Sequence, residues 1–446
     1  MTLPTTAWRP RTSQPTSATP GFGLAELISA LIIVLLYSFF LELLTRLGRI
    51  QESASYYVIM LAGAVFLFVN ASRTGWFKEQ RPILIVLLSY LLLVLVSIVL
   101  FGHDYDIWLY RLRLSYVITT AAIIVIFASV RRTKVVILAC RLVLVFSVVI
   151  NLIEFFHPSA LPVQMSSTPG RAAGFYGDSN ESAAFIACLV PISCLGTRPL
   201  VKGLIYLVSL IGVYVTFSRG GLLVWTALVM ISEFLPARAK SLRPAQLGVL
   251  VAMGLIALVL ILGHDAILGF LSNAFHNNLD DNTSNRMRFG VNDASRERLY
   301  VVMLGLQEFA RSPVVGKGIG YGFDWSFYVS VHNIFVQTLL ESGIVGAIWL
   351  GFYLFAMGSR SFPYGIWNVV AFCIIGMFSH NLFDGPRYGI IVALYCTIPA
   401  MFEAETKTGQ SAFLGPLAAS GWRPAGAALP RAPRRPWAVN RAKPQA

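Results

Sequence analysis

The chain has 446 residues, of which 56% are hydrophobic and 13% charged, with a formal net charge of +14. So few charges, with a mean hydropathy of +0.68, exclude an ordinary soluble globular domain. Apolar runs recurring along nearly the whole length instead mark an all-α polytopic membrane protein.

Residues 1–22, rich in Thr, Pro and Ser, read as a disordered cytoplasmic tail. The apolar run that follows is too long for a cleavable signal and shows no small-residue cleavage site, so the first span is retained. About twelve runs of spanning or near-spanning length follow, near 25–45, 55–71, 83–102, 115–130, 135–156, 182–196, 201–217, 220–235, 247–263, 332–357, 364–380 and 387–402. This divides the chain into spans one to nine (23–263), a long outer loop (264–331), spans ten to twelve (332–402) and a basic disordered cytoplasmic tail (403–446).

Charge placement gives the orientation. With the N-terminus cytoplasmic, the inner connections receive Arg73, Lys78 and Arg81, then Arg131, Arg132 and Lys134, then Arg198 and Lys202, then Arg238, Lys240 and Arg243, as the positive-inside rule requires. Arg46, Arg49, Arg111 and Arg113 are the exceptions. The net charge is thus largely topological, and the basic tail reads as solvated chain against anionic lipid rather than as a nucleic-acid binder. All five cysteines, Cys140, Cys188, Cys194, Cys373 and Cys396, lie in apolar runs without CxxC or CxxxH spacing. They are expected to pack, with no disulfide or metal site implied.

The loop at 264–331 is expected on the extracytoplasmic side. A short interfacial helix is predicted at 267–272, and an amphipathic helix from Ser295 with Leu299, Val302, Met303, Leu306 and Phe309 at core spacing. Pro313 with Gly316, Gly318, Gly320 and Gly322 then makes a turn-rich return to the membrane. The loop concentrates cations, Arg286, Arg288, Arg296, Arg298, Arg311 and Lys317, and Arg presents a fork of donors suited to phosphate. Three other outer connections carry polar groups: 170–181, with Arg171, Asp178, Asn180 and Glu181; the tight Ser218-Arg219-Gly220-Gly221; and 379–387, with His380, Asn381, Asp384 and Arg387. At the second, backbone amides and a guanidinium can converge on one anion.

His332-Asn333 opens the tenth run. Asn333, Gln337 and Glu341 follow at four-residue spacing, a polar stripe expected to face protein or a wet cavity. Gly343, Gly346 and Ala347 are expected to permit close helix packing. Arginines at the outer leaflet can hold a lipid diphosphate and stabilise it as a leaving group, while His332 has the intrinsic pKa of a general base for a sugar hydroxyl. No nucleotide-binding loop is recognised, so a lipid-linked donor fits better than a nucleotide sugar. No cofactor is implied.

These residues resemble the O-antigen ligase and polymerase superfamily, bacterial integral-membrane enzymes that move undecaprenyl-diphosphate-linked glycans in the periplasm. The resemblance rests on His332-Asn333 followed by Gly343-x-x-Gly346, on Thr216-Phe217-Ser218-Arg219-Gly220-Gly221, on Ser295-Arg296 ahead of Tyr300, and on Pro313 to Gly320. It spans roughly residues 170 to 360. It implies an inner-membrane enzyme with its active site on the periplasmic side, His332 as catalytic base, and Arg219 and Arg296 on the donor diphosphate. Arg171, Asn180, Arg298 and Asn333 are implied as substrate-binding residues, and transfer as direct, inverting and metal-independent. Arg298 competes with Arg296 for the loop position, and the spacing to Tyr300 favours Arg296. The absence of the paired loops of dedicated polymerases points to the ligase branch, with a lipid A core acceptor; a polymerase of exopolysaccharide or O-antigen repeat units is the alternative.

Blander roles compete at several positions. Asp178 and Glu181 are expected to cap the sixth span, His380 to be structural, and Glu26, Arg141 and Glu154 to snorkel or pair internally. A transporter would show internal repeats, and none is clear; a non-catalytic envelope scaffold would tolerate loss of His332.

Overall fold

The computed structural model describes residues 23–49, 52–70, 74–101, 107–161, 171–234, 293–324, 331–359, 364–379, 381–384 and 386–407. Every regular element among them is helical. The tail before residue 23, the ninth run, the helix expected at 267–272, His380 and the tail beyond 407 lie outside the described residues.

In chain order the α-helices are α1 (Leu24–Leu31), α2 (Phe40–Arg46), α3 (Glu52–Asn70), α4 (Thr74–Phe101), α5 (Ile107–Ala128), α6 (Thr133–Phe156), α7 (Ser179–Ser193), α8 (Pro199–Tyr214), α9 (Arg219–Phe234), α10 (Asp293–Arg311), α11 (Tyr321–Asp324), α12 (Ile334–Ser359), α13 (Gly365–Phe378) and α14 (Pro386–Lys407). A π-helical segment, Ile32–Tyr37, joins α1 towards α2. Among the described residues, helices underlie each of the eleven expected runs other than the ninth. Five are long and apolar enough to cross a membrane, over Gln80–Phe101, Leu109–Ala128, Thr133–Phe156, Ile334–Ser359 and Arg387–Thr406. At 14 to 16 residues, α7, α8, α9 and α13 fall short of the roughly 20 residues that cross a bilayer core.

Burial sorts the helices. Nearly every residue of α7 is buried, as expected of a helix that is apolar on all sides and surrounded by others; α6, α8 and α9 pack around it. On α4, by contrast, Ile85, Leu88, Leu92, Leu95 and Val99 are exposed, an outward apolar face suited to lipid.

Polar contacts gather at the two ends of the bundle. At one end Glu26 accepts the backbone N–H groups of Arg131 and Arg132 at 2.7 and 3.0 Å, and Arg141 donates to the carbonyls of Ser193 and Leu195. Lys202 and Tyr206 there both engage Glu233. Glu26 and Arg141 therefore pair internally. Two exceptions to the charge rule also find partners: Arg111 donates to the Tyr57 hydroxyl, and Arg113 is buried between Glu341 and Asp384, at 3.5 and 3.2 Å. A third, Arg46, lies at the opposite end with its guanidinium over Gly177.

Two expectations are corrected. The helix expected from Ser295 forms as α10, and Val302 packs inward as expected, but the fully buried residue is Val301, in one cluster with Val331, Val336 and Leu340, while Leu299, Met303 and Leu306 are exposed. Packing on α12 selects a face that apolar spacing alone does not. Gly343 is the second correction. It is a break in α12, with φ 63° and ψ −154°, so its role is conformational rather than one of helix packing. Pro313 to Gly318 docks into the break. Ile344 and Val345 donate their N–H groups to the carbonyls of Pro313 and Val314, and Lys317 and Gly318 donate to those of Leu340 and Glu341. Backbone groups freed by the break are thereby satisfied inside the bundle, where no water would serve them.

Candidate functional site

The end of the bundle opposite Glu26 collects most of the expected site residues. Its floor is the connection into α7. Glu154, near the end of α6 and 7% exposed, accepts the N–H groups of Ala173 and Gly174, both at 2.6 Å. The chain at Arg171 is then pinned to the end of α8, where Ala172 N–H donates to the Val215 carbonyl. Arg171 itself is 5% exposed. Its Nε donates to the Thr216 carbonyl at 2.9 Å and its Nη2 to Asn180 Oδ1 at 3.1 Å.

Asn180 joins two connections, because its Oδ1 also accepts from Ser218 Oγ at 3.0 Å. Ser218 in turn N-caps α9, accepting Gly221 N–H at 3.1 Å. The turn before it is tight: Phe217 has φ 50°, a left-handed conformation that costs an L-residue roughly 1–2 kcal/mol. It is held by Thr216 Oγ1, which accepts Ser218 N–H. The result sets exposed Arg219 at the first turn of α9, where the helix dipole and unpaired amides favour an anion.

Asp178 caps α7 as expected, accepting the N–H groups of Asn180 and Glu181 at 2.7 and 3.0 Å. Glu181, expected as a second cap, instead pairs with Arg387 at 3.1 Å; that guanidinium also lies 4.3 Å from the centre of the Phe39 ring.

His332 is half-buried just before α12. Asn333 N-caps the helix, its Oδ1 accepting from Phe335 and Val336 N–H at 3.0 and 3.1 Å, which fixes the backbone that carries the imidazole. Burial lowers the His332 pKa from 6.5, and the Arg298 guanidinium lowers it further; Asp178 and Glu297 pull the other way. The neutral imidazole is thus favoured at neutral pH. Arg298 shares the face of α10 that holds Val301, one turn away. Arg296, two residues earlier, projects from a different face; both side chains are exposed. The fold therefore brings Arg298 and Asp178 into the field of His332, joins Arg171, Asn180 and Ser218 in one network, and sets Arg296 on another face of α10.

Two contributors had only bland expectations: Glu154 and the cap residue Asp178 as a neighbour of His332. Glu154 carried the available signal, a carboxylate at the end of an apolar run near a Gly-rich connection. Glu154→Ala would orphan two buried N–H groups, each worth about 1–3 kcal/mol. A fall in the unfolding temperature of the detergent-solubilised protein is expected, together with loss of ordered Arg171.

Residues 204–351 match the model of the family described as O-Antigen ligase. No curated protein matches the chain. The matched stretch runs from α8 through the Gly343 break and includes Arg219, Arg296, Arg298, His332 and Asn333, while Arg171 and Asn180 precede it. Over residues 204–351 the chain is thus similar to the O-antigen ligase family, whose members are membrane enzymes that act on lipid-linked glycans, and its apolar helices suit a multi-pass membrane protein.

Proposed function

We propose that the protein transfers a glycan from an undecaprenyl-diphosphate-linked donor to an acceptor hydroxyl at the periplasmic face of the bacterial inner membrane, with lipid A core as acceptor. The observation that carries this reading is a half-buried histidine with a lowered pKa beside Arg298, at the end of the bundle where Arg171, Asn180 and Ser218 are joined. Neutral His332 takes the proton of the acceptor hydroxyl as its oxygen attacks the anomeric carbon. The bond from that carbon to the diphosphate breaks with inversion, and the lipid diphosphate leaves carrying the bonding electrons.

Arg219 is assigned to the diphosphate, with Arg296 as its partner from α10. Arg298 is assigned to the substrate nearest the imidazole. The electrostatic work of two guanidinium groups needs no metal. Arg171 braces Asn180 against the site. The carboxamide oxygens of Asn180 and Asn333 are engaged within the protein, so their N–H groups are assigned to sugar hydroxyls.

The test is incubation of purified protein in nanodiscs with undecaprenyl-diphosphate-linked glycan, with and without lipid A core, following glycan size and released lipid diphosphate. Transfer that requires the core is the expected result. Lengthening of the lipid-linked glycan without core would instead identify a repeat-unit polymerase. Tight donor binding with no turnover under either condition would sink the enzymatic reading in favour of a scaffold. In the same assay Arg219→Ala is expected to raise donor KM and lower kcat, by about 10²–10³-fold in kcat/KM if it stabilises the leaving group.

A further inference from the structure

The first half of α12, residues 334–342, is separated from the second by the break at Gly343. Continuity of the helix therefore does not set its angle, although it carries His332 at its start. Its buried Glu341, 5% exposed, makes the long-range ties. Its Oε1 accepts from Gln337 Nε2 at 2.8 Å and from Gly320 N–H at 3.2 Å. Its Oε2 lies 3.5 Å from Arg113 Nη2, which also stands 3.2 Å from Asp384. One carboxylate thus links the His332 half-helix to the connection following α10, to α5 and to the connection before α14. Arg113 itself is 1% exposed. A charged network buried this deeply is costly, and substitution by apolar residues is often no less stable. Its geometry therefore calls for a role other than stability.

We propose that Glu341 is a positioning residue: with Arg113 it sets the angle of the 334–342 half-helix, and so the placement of His332 against Arg298 of α10. This rests on the functional reading above. Asn333 fixes His332 locally, whereas Glu341 fixes the whole half-helix relative to the loop that brings the arginines.

Glu341→Gln keeps an oxygen for Gln337 and Gly320 but removes the charge that holds Arg113. In the nanodisc assay kcat is expected to fall about 10- to 100-fold, the scale of an ångström-sized misplacement, with donor KM changed less than about threefold. The acidic limb of the pH profile is expected to move as His332 shifts relative to Arg298. A merely structural carboxylate would lower the unfolding temperature yet leave kcat per folded molecule and the limb unchanged, and that result overturns the proposal. Arg113→Lys, which keeps the cation but not the fork, is expected to reproduce the kcat loss; full activity in this variant also overturns it.

A third measurement needs no substrate. Val301 of α10 and Val336 of the half-helix belong to one buried cluster, so a Val301→Cys, Val336→Cys pair joined by a bifunctional thiol reagent is expected to cross-link readily with Glu341 present and several-fold more slowly with Glu341→Gln. An unchanged rate overturns the proposal even where glycan transfer itself has failed.

Discussion

Replacement of His332 by Ala is expected to lower glycan transfer by about 10²–10⁴-fold, the usual contribution of a positioned general base, with donor binding retained. A sugar hydroxyl is a poor nucleophile until its proton is taken. Within the face formed by the 171–181 connection, the start of α9 and the start of α12, His332 is the imidazole whose surroundings favour the neutral form. The other groups there have different tasks: Asp178 is committed to capping α7, Glu181 to Arg387, and Arg171 to the Thr216 carbonyl and Asn180. The loss should therefore fall mainly on kcat. A loss confined to KM would instead make His332 a binding residue.

Gly343→Ala is expected to have the second large effect, on stability and activity together. At φ 63° and ψ −154° the backbone occupies a region that is essentially reserved for glycine and costs other residues about 1–3 kcal/mol. An added Cβ would also overlap the Val314 carbonyl and Gly316 N. The docked Pro313 to Gly318 segment would have to withdraw, breaking four backbone hydrogen bonds across the break and freeing the half-helix that carries His332. Thermal unfolding and transfer rate both report the change. Gly351→Ala, farther along the same helix where an added Cβ meets nothing within 4 Å, is the control and is expected to be neutral or slightly stabilising.

Much of this arrangement is visible in local sequence, because local physics makes it. Apolar runs give the helices. Asp178 two residues ahead of Asn180 gives a cap, and Ser218 before Arg219-Gly220-Gly221 gives a tight entry to α9. The His332-Asn333 pair gives a helix start with a titratable group outside it. What stays hidden depends on distant partners. Arg113 stands beside Arg111 just ahead of the fourth apolar run and Glu341 lies inside the tenth, and only the fold shows that they meet, with Asp384 beside them. Glu341 within a span was the available clue, since intramembrane charges pair. The break at Gly343 is hidden because hydropathy does not report backbone angles, and a glycine in an apolar run also reads as a packing residue. The buried face of α10 is likewise chosen by its contact with α12: Val301 goes in and Leu299 stays out, although spacing alone favours the latter.

The pH dependence of kcat/KM in the wild-type protein and in Arg298→Gln tests the central claim most directly. A general base must be neutral to act, and burial with the Arg298 charge holds the His332 pKa below 6.5. Wild-type activity is therefore expected to rise with pH through an apparent pKa under that value and to be level by neutral pH. Removing the Arg298 charge should shift the rising limb to higher pH, because imidazolium is then less disfavoured. A profile that is flat across this range, or a limb that stays in place without the Arg298 charge, would contradict the assignment of His332 as the base.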